Sequence, residues 1–323
     1  MQIIWAIIVF IICLIVIYFA ADFVLDGIEE LGKFMRIPAI LLAYVLIGID
    51  LEETAASWSA ASTELSHLAV GNVIGNTIIS IGFCFAFPAL FFEISFKKIH
   101  KWILPILLIF GIWINLYLIF PQFRILFGVL SILSYIGFMI ANFLAKNSNI
   151  VDDSEEENEK IDTEVEKDKA HNKKLWKAIF LFCLGMVLLY FSSHLLIIST
   201  ETILLSINID EAFFGLVIIA AGTNVEEYMI LFKSIKRKRP ELGLGGLLGK
   251  IIWNCGINFG ISLLLIKPSS NPAPILLYNG LLLFGLMVPT MIIIILKKKK
   301  LAWKSAIPLL VYFGFYILLS SIL

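Results

Sequence analysis

The sequence predicts an all-α membrane protein of ten transmembrane helices, arranged as two inverted five-helix repeats. Three observations predict it: ten apolar runs are long enough to cross a bilayer, the basic residues alternate between the connections, and one segment rich in glutamate and glycine recurs at a fixed offset.

A hydrocarbon core of about 30 Å needs roughly 20 apolar residues in helix. Ten stretches qualify, near 3–25, 37–60, 67–92, 102–120, 123–145, 175–198, 210–234, 242–266, 273–296 and 302–322. Of the 323 residues, 60% are hydrophobic and 15% charged, whereas soluble domains average roughly 45–50% and about 25%. The one long polar segment, Lys146 to Lys174, contains DDSEEENEKIDTEVEKDK and reads as a solvated acidic linker. The chain therefore divides into a first repeat (1–145), the linker (146–174) and a second, inverted repeat (175–323). No Lys or Arg precedes the first apolar run, which favours a retained span over a cleaved signal peptide.

Charge tests this count of spans. Connections 1–2, 3–4, 5–6, 7–8 and 9–10, with the adjoining span ends, hold 2, 3, 7, 5 and 5 Lys and Arg residues. The other connections hold only Arg124 and Lys267, so the split is 22 against 2. Basic loops face the cytoplasm. Both termini are accordingly expected outside, the linker cytoplasmic, and the whole a multi-pass protein of the cell membrane. The net charge of zero suggests no nucleic-acid partner. Cys13, Cys84, Cys183 and Cys255 lie far apart in apolar runs and read as small buried fillers rather than a disulfide framework.

The recurrence is specific. GIDLEETAASWSAASTELSHLAVGNVIGNTIISIGF begins at Gly48, and GTNVEEYMILFKSIKRKRPELGLGGLLGKIIWNCGI begins at Gly222, an ungapped offset of 174. Gly48, Glu52, Glu53, Leu68, Gly71, Gly75, Ile78 and Gly82 match Gly222, Glu226, Glu227, Leu242, Gly245, Gly249, Ile252 and Gly256. The offset maps span 2 onto span 7 and span 3 onto span 8, and five intervening spans invert the second copy. Inverted repeats are a recurring transporter architecture, with ion sites near the midplane where the halves meet. The glycine pairs Gly71/Gly75 and Gly245/Gly249 have a simpler reading as small-xxx-small packing motifs.

The carboxylates need a further reason. Asp50, Glu52, Glu53, Glu226 and Glu227 lie in spans, where each unpaired charge costs about 2.5–3.5 kcal/mol on insertion scales. An internal salt-bridge network is one account, but Lys250 is the only basic residue away from the span ends and one lysine does not neutralise five acids. A water-filled or cation-occupied cavity is the alternative that functional precedent for intramembrane charge favours. Asp50 and Glu53 are three apart and share a helix face. Asn72, Asn76 and Ser80 form a polar stripe in span 3, and Gly246, Lys250 and Asn254 stand at the same positions of span 8. Carboxylate and amide oxygens suit hard cations such as calcium, sodium or manganese. Gly48 and Gly222 offer points at which the helices loosen and free carbonyls as ligands.

On these residues the chain resembles the calcium/cation antiporter superfamily, the sodium/calcium exchanger-like membrane proteins. That family carries an approximate G-T-S-x-P-E motif in spans 2 and 7, which here reads GIDLEE (Gly48–Glu53) and GTNVEE (Gly222–Glu227). A following G-N-x-x-G-S-N-type motif reads GNVIGNT (Gly71–Thr77) and GGLLGKI (Gly245–Ile251). The resemblance implies a sodium/calcium exchanger-like fold and cation antiport, with Glu53 and Glu227 as central ligands. It also implies that Thr223 keeps a hydroxyl position that Ile49 has lost, that Asp50 and Asn224 replace serines, and that Ser80 and Asn254 stand where the family has Asn or Asp ligands. Asn76 and Lys250 replace serines of the following motif, and Glu52 and Glu226 replace helix-breaking prolines. Lys250, one turn from Asn254, is expected to act as a tethered cation in a subsite that sodium would otherwise fill, the alternative being a lysine snorkelling to an interface.

The resulting expectation is secondary active antiport of calcium or a related cation against sodium or protons. The candidate metal-binding residues are Glu53, Glu227, Asp50, Asn76, Ser80, Thr223, Asn224 and Asn254. No prosthetic cofactor is implied; the partners are the bilayer and small inorganic cations, and the chain is expected to work as a monomer. Two alternatives stay open: a proton-coupled carrier of another cation, and a non-transporting sensor or scaffold of the same fold. Intramembrane proteolysis is disfavoured, since Asp50 is the only Asp well inside a span and no Ser–His arrangement is evident. His194 reads as a hydrogen-bonded core residue, and Lys297–Lys300 as an anchor of span 9 at the cytoplasmic face.

Overall fold

The first helix runs well past the apolar stretch that announces it. In the computed structural model, which describes residues 2–35, 39–62, 66–95, 103–149, 167–205, 224–267, 274–296 and 300–322, α1 (Gln2–Met35) has 34 residues. That is about 51 Å at 1.5 Å per residue, against a hydrocarbon core of about 30 Å. Its N-terminal half exposes Ile4, Trp5, Ile11 and Ile12, a surface that lipid can cover. Its C-terminal half carries acids that find partners in the second repeat. Asp22 is 2.6 Å from both Lys233 and Arg237, Asp26 also pairs with Arg237, and Glu29 is 3.9 Å from Arg239. Asp22 thus joins α1 to the end of α9, a role the sequence reading did not single out.

Span 2 is not one helix. α2 (Ala39–Leu42) continues as a π-helical turn, Ala43–Ile47, and the chain leaves helical geometry at Gly48–Asp50 before α3 (Leu51–Ser62) begins. No proline causes this. Asp50 caps the new helix: its Oδ1 accepts the Glu53 N–H at 3.0 Å, and its carbonyl accepts the Thr54 N–H at 3.2 Å and the Thr54 hydroxyl. Such caps stabilise a helix by about 0.5–2 kcal/mol. Gly48 behaves as expected of a loosening point, whereas Gly222 lies outside the described residues.

The break is held against the second repeat by close backbone approach. A Cβ on Gly48 would lie 2.6 Å from the carbonyl carbon of Gly249, and one on Gly249 would lie 2.8 Å from Cα of Tyr44. Backbone cannot yield as a side-chain tip can. Gly75, the repeat mate of Gly249, has only the Tyr316 hydroxyl near such a Cβ, at 3.7 Å. Close packing therefore explains the second glycine pair but not the first. Gly249→Ala is expected to destabilise the protein by about 1–3 kcal/mol, as overpacking does, while Gly75→Ala is neutral or slightly stabilising; thermal unfolding of both variants in lipid nanodiscs checks the contrast.

The remaining elements follow in order. α4 (Ser66–Ile79) passes through a π turn (Ser80–Phe85) into α5 (Ala86–Ala89), and β1 (Ile94–Ser95), α6 (Ile103–Ile119) and α7 (Arg124–Asn149) complete the first half. The second half holds α8 (Lys167–Leu205), α9 (Val225–Lys236), α10 (Pro240–Trp253), a π turn (Asn254–Asn258), α11 (Phe259–Leu265), α12 (Pro274–Leu296), β2 (Lys300–Leu301) and α13 (Trp303–Ile322). The π turns beginning at Ser80 and Asn254 stand at repeat-related positions, so the irregularity recurs along with the sequence. β1 and β2 pair antiparallel, with Ile94 opposite Leu301.

The fold is all-helical apart from that short pairing among the described residues. Among the described residues, five helical segments are long and apolar enough to cross a membrane, and three shorter apolar helices accompany them. Predicted span 2 is the broken one just described, and most of span 7, residues 210–223, lies outside the described residues. Helix reaches into both ends of the expected linker, α7 running to Asn149 and α8 beginning at Lys167, while residues 150–166 lie outside the described residues. Helices α1, α2 and α8 share one apolar core, and α4, α6, α7, α10, α12 and α13 build a second one around the carboxylates.

Smaller expectations divide. Cys13, Cys84 and Cys255 are buried thiols, but Cys183 is exposed on α8. His194 is exposed rather than in the core. Lys300 pairs with Glu93 at 2.5 Å, and Lys297–Lys299 lie outside the described residues.

Candidate cation site

Three elements converge on one buried ammonium. Lys250 lies on α10 one turn before Asn254, and only 2% of its side chain is exposed. Its Nζ is 2.9 Å from Asp50 Oδ2, 3.2 Å from Glu53 Oε1 and in direct contact with Glu227 Oε1. Asp50 comes from the break in span 2, Glu53 from the first turn of α3, and Glu227 from the first turn of α9. Carboxylates of both halves therefore meet.

This geometry corrects one step of the sequence argument. A lysine ammonium has three N–H donors, so a single Lys250 engages three acids at once. The salt-bridge network set aside for want of cations is present, and the positive charge among these carboxylates is the protein's own. Lys250 is turned inward, not toward an interface.

Neutral groups continue the site. Asn254 donates Nδ2 to Glu53 Oε2 at 3.1 Å and accepts at Oδ1 from Asn258 Nδ2 at 3.1 Å. Asn258 Nδ2 also reaches Ser57 Oγ at 3.4 Å, and the same hydroxyl oxygen accepts from Asn72 Nδ2 at 3.0 Å. Trp253 Nε1 donates to Thr54 Oγ1 at 2.9 Å, tying α10 to α3. A second group stands beside this chain. The Ser80 hydroxyl lies 3.1 Å from Asn224 Oδ1 and 3.4 Å from Asn76 Oδ1, so it donates to either and links Asn76 of the first repeat to Asn224 of the second. Asn224 is also the residue before α9, its carbonyl accepting the Tyr228 N–H at 3.1 Å.

Of the residues predicted from sequence, Asp50, Glu53, Glu227, Asn254 and Lys250 thus gather at one point, while Asn76, Ser80 and Asn224 form their own trio. Thr223 lies outside the described residues, as does the side chain of Glu52. Glu226 joins from α9: ligand oxygens of Asp50, Glu226 and Glu227 lie within 4.8 Å of one another. Ser57, Thr54, Trp253 and Asn258 were missed. Two had a signal, because Ser57 follows Glu53 by four and Asn258 follows Asn254 by four, each extending a helix face already in view.

The buried acids, the inverted halves and the repeated π turns agree with a comparison against known families. The model described as sodium/calcium exchanger protein matches residues 5–144 and 177–322, once in each half. The chain belongs to that family. Its members are cation antiporters, so this sodium/calcium exchanger family protein is a transporter by descent and not an enzyme. Among curated relatives, it is 24% identical to an uncharacterised membrane protein of Methanocaldococcus jannaschii over 282 residues, 85% of this chain and 87% of that one. It is 26% identical over 244 residues, 75% of either chain, to CaxA of Alkalimonas amylolytica, which carries an antiporter's name. Among solved structures, the sodium-calcium exchanger NCX_Mj soaked with sodium and calcium superposes with a TM-score of 0.73 over 97% of this chain and 98% of that one, at 18% identity. The same exchanger soaked without either ion gives 0.72. These likenesses establish the exchanger fold and a multi-pass membrane protein.

Proposed function

We propose that this exchanger-family protein performs secondary active antiport of calcium or a related cation against sodium or protons, by alternating access at the site around Glu53 and Glu227. The observation that carries the reading is the meeting of carboxylates from both halves on one buried ammonium. Intramembrane acids brought to the seam of two inverted repeats are where such carriers bind ions. Glu53 and Glu227 are the principal ligands, Asp50 and Asn254 adjoin them, and Asn76, Ser80, Thr223 and Asn224 are auxiliaries. Lys250 occupies a subsite as a tethered cation.

The same ammonium favours one competing reading. Three acids already paired to Lys250 suit a locked site that senses or scaffolds without moving ions. Radiolabelled calcium uptake into proteoliposomes separates the two. Uptake driven by an outwardly directed sodium or proton gradient is expected. Absence of flux for every cation gradient tried, with the protein correctly folded, rejects antiport and leaves the non-transporting reading. Separate sodium and proton gradients then identify the counter-ion. Both termini outside and a cytoplasmic linker complete the proposed topology, with the monomer as the working unit.

A further inference from the structure

Helix α10 and the π turn after it meet span 2 beside its break with Lys250, Trp253 and Asn254. Lys250 holds Asp50 Oδ2 at 2.9 Å, and Asn254 donates to Glu53 Oε2 at 3.1 Å. Trp253 works through an intermediary: its Nε1 donates to Thr54 Oγ1 at 2.9 Å. Thr54 is 3% exposed, and its hydroxyl in turn donates to the carbonyl of Asp50. The same indole meets the ring of Tyr135 edge-on, with centroids 5.6 Å apart at 82°. A line of contacts therefore runs from α7, which supplies none of the candidate ligands, through Trp253 and Thr54 to the residue at the break.

The chemistry gives this line a direction. An indole N–H donates and does not accept, whereas a hydroxyl has one proton and two lone pairs. With Trp253 filling a lone pair of Thr54, the hydroxyl proton is turned to Asp50, and bonds in such a chain strengthen one another. The Asp50 carbonyl accepts both the Thr54 N–H at 3.2 Å and the Thr54 hydroxyl, which takes both of its lone pairs. Asp50 consequently offers the site its carboxylate and not its carbonyl, with Oδ1 fixed by the Glu53 N–H at 3.0 Å and Oδ2 by Lys250. Ile79 and Tyr228 stand at the repeat-related positions of Trp253 and Thr54, and an isoleucine side chain has no proton to donate. The indole clamp thus belongs to Asp50 and has no counterpart at its repeat mate, Asn224.

We infer that Trp253 is a positioning residue of the site: through Thr54 it fixes the backbone at Asp50, hence the placement of the Asp50 carboxylate, and so sets cation affinity without touching the cation. The effect on affinity rests on the proposed cation site, whereas the effect on the backbone does not.

Two measurements on the full-length protein in lipid nanodiscs test this. The first is hydrogen exchange at the Glu53 and Thr54 amides, which needs no ion. Trp253→Phe removes the donor and keeps a ring, Thr54→Val removes the hydroxyl, and Thr54→Ser keeps it. Exchange is expected to quicken about threefold or more in the first two, the equivalent of one lost hydrogen bond, and to return to the parent rate in Thr54→Ser. The second is equilibrium binding of radiolabelled calcium, expected to weaken about three- to tenfold in Trp253→Phe and Thr54→Val and to be restored in Thr54→Ser. Because both residues act along one line, the double variant is expected to bind no more weakly than the worse single one. A merely structural role lowers the unfolding temperature and leaves calcium affinity at the parent value, and that result overturns the inference. So does parent-like exchange in both variants, or a double variant whose loss is the product of the single losses. Where Trp253→Phe does not fold, Thr54→Val against Thr54→Ser decides alone. A parent that binds no calcium, while exchange still quickens in the variants, sinks the proposed calcium site and keeps Trp253 as the residue that positions Asp50.

Discussion

Glutamine at both Glu53 and Glu227 is expected to reduce cation uptake in proteoliposomes to the level of protein-free vesicles. The two side chains keep their length and one acceptor oxygen each, the other becoming an amide donor, and of the three acids paired to Lys250 only Asp50 stays anionic. With Asp50 paired to the ammonium, only the neighbouring Glu226 is left to attract a cation. Each single glutamine variant leaves Lys250 two ionised partners and is expected to retain a part of the flux. Elution of the double variant as a folded monodisperse protein shows that chemistry, not folding, has been removed. Full activity in the double variant rejects the carboxylate site.

Lys250→Ser is expected to give the largest change in stability. With the ammonium gone, Asp50, Glu53 and Glu227 crowd together without their shared partner, and breaking a buried pair in this way costs about 3–5 kcal/mol. Bound cations should repair the defect, since any ligand of the folded state stabilises it by mass action. The signature is therefore conditional. In cation-free buffer the variant unfolds at lower temperature than its parent, and sodium or calcium raises its unfolding temperature more than it raises the parent's. A tethered cation also predicts that the variant binds an additional ion or binds ions with altered affinity. Sodium and calcium binding identical to the parent's would remove that role from Lys250, leaving it a structural counter-charge.

Much of this was legible in the sequence, for reasons that differ by feature. Hydropathy and loop charge expose spans because the bilayer constrains every residue within them. The offset of 174 exposed the repeat, and the carboxylates stood out because apolar runs tolerate charge so poorly. The partners of Lys250 were hidden, since Asp50, Glu53 and Glu227 arrive from segments distant in the chain and only the packed fold shows that one ammonium reaches all three. The break in span 2 was hidden too. Asp50 and Glu53 have the spacing of a helix-capping pair, but inside an apolar run they read as two acids on one face. The glycine pairs show a different limit. Gly71/Gly75 and Gly245/Gly249 spell the same motif, yet only the second meets backbone, because a motif records size and not what lies opposite. Asp22 was passed over where the apolar run of α1 fades, and its partners Lys233 and Arg237 stand at the C-terminal end of α9 in the other repeat.

Asp50 does two things with one carboxylate. Oδ1 closes the start of α3, and Oδ2 holds Lys250. Rotating that group toward an arriving ion would release the amide of Glu53, so the first turn of the helix and the charge in the site share a single hinge. Filling the proposed site and reshaping the backbone beside it would then be one event, its occupancy read out at a helix cap.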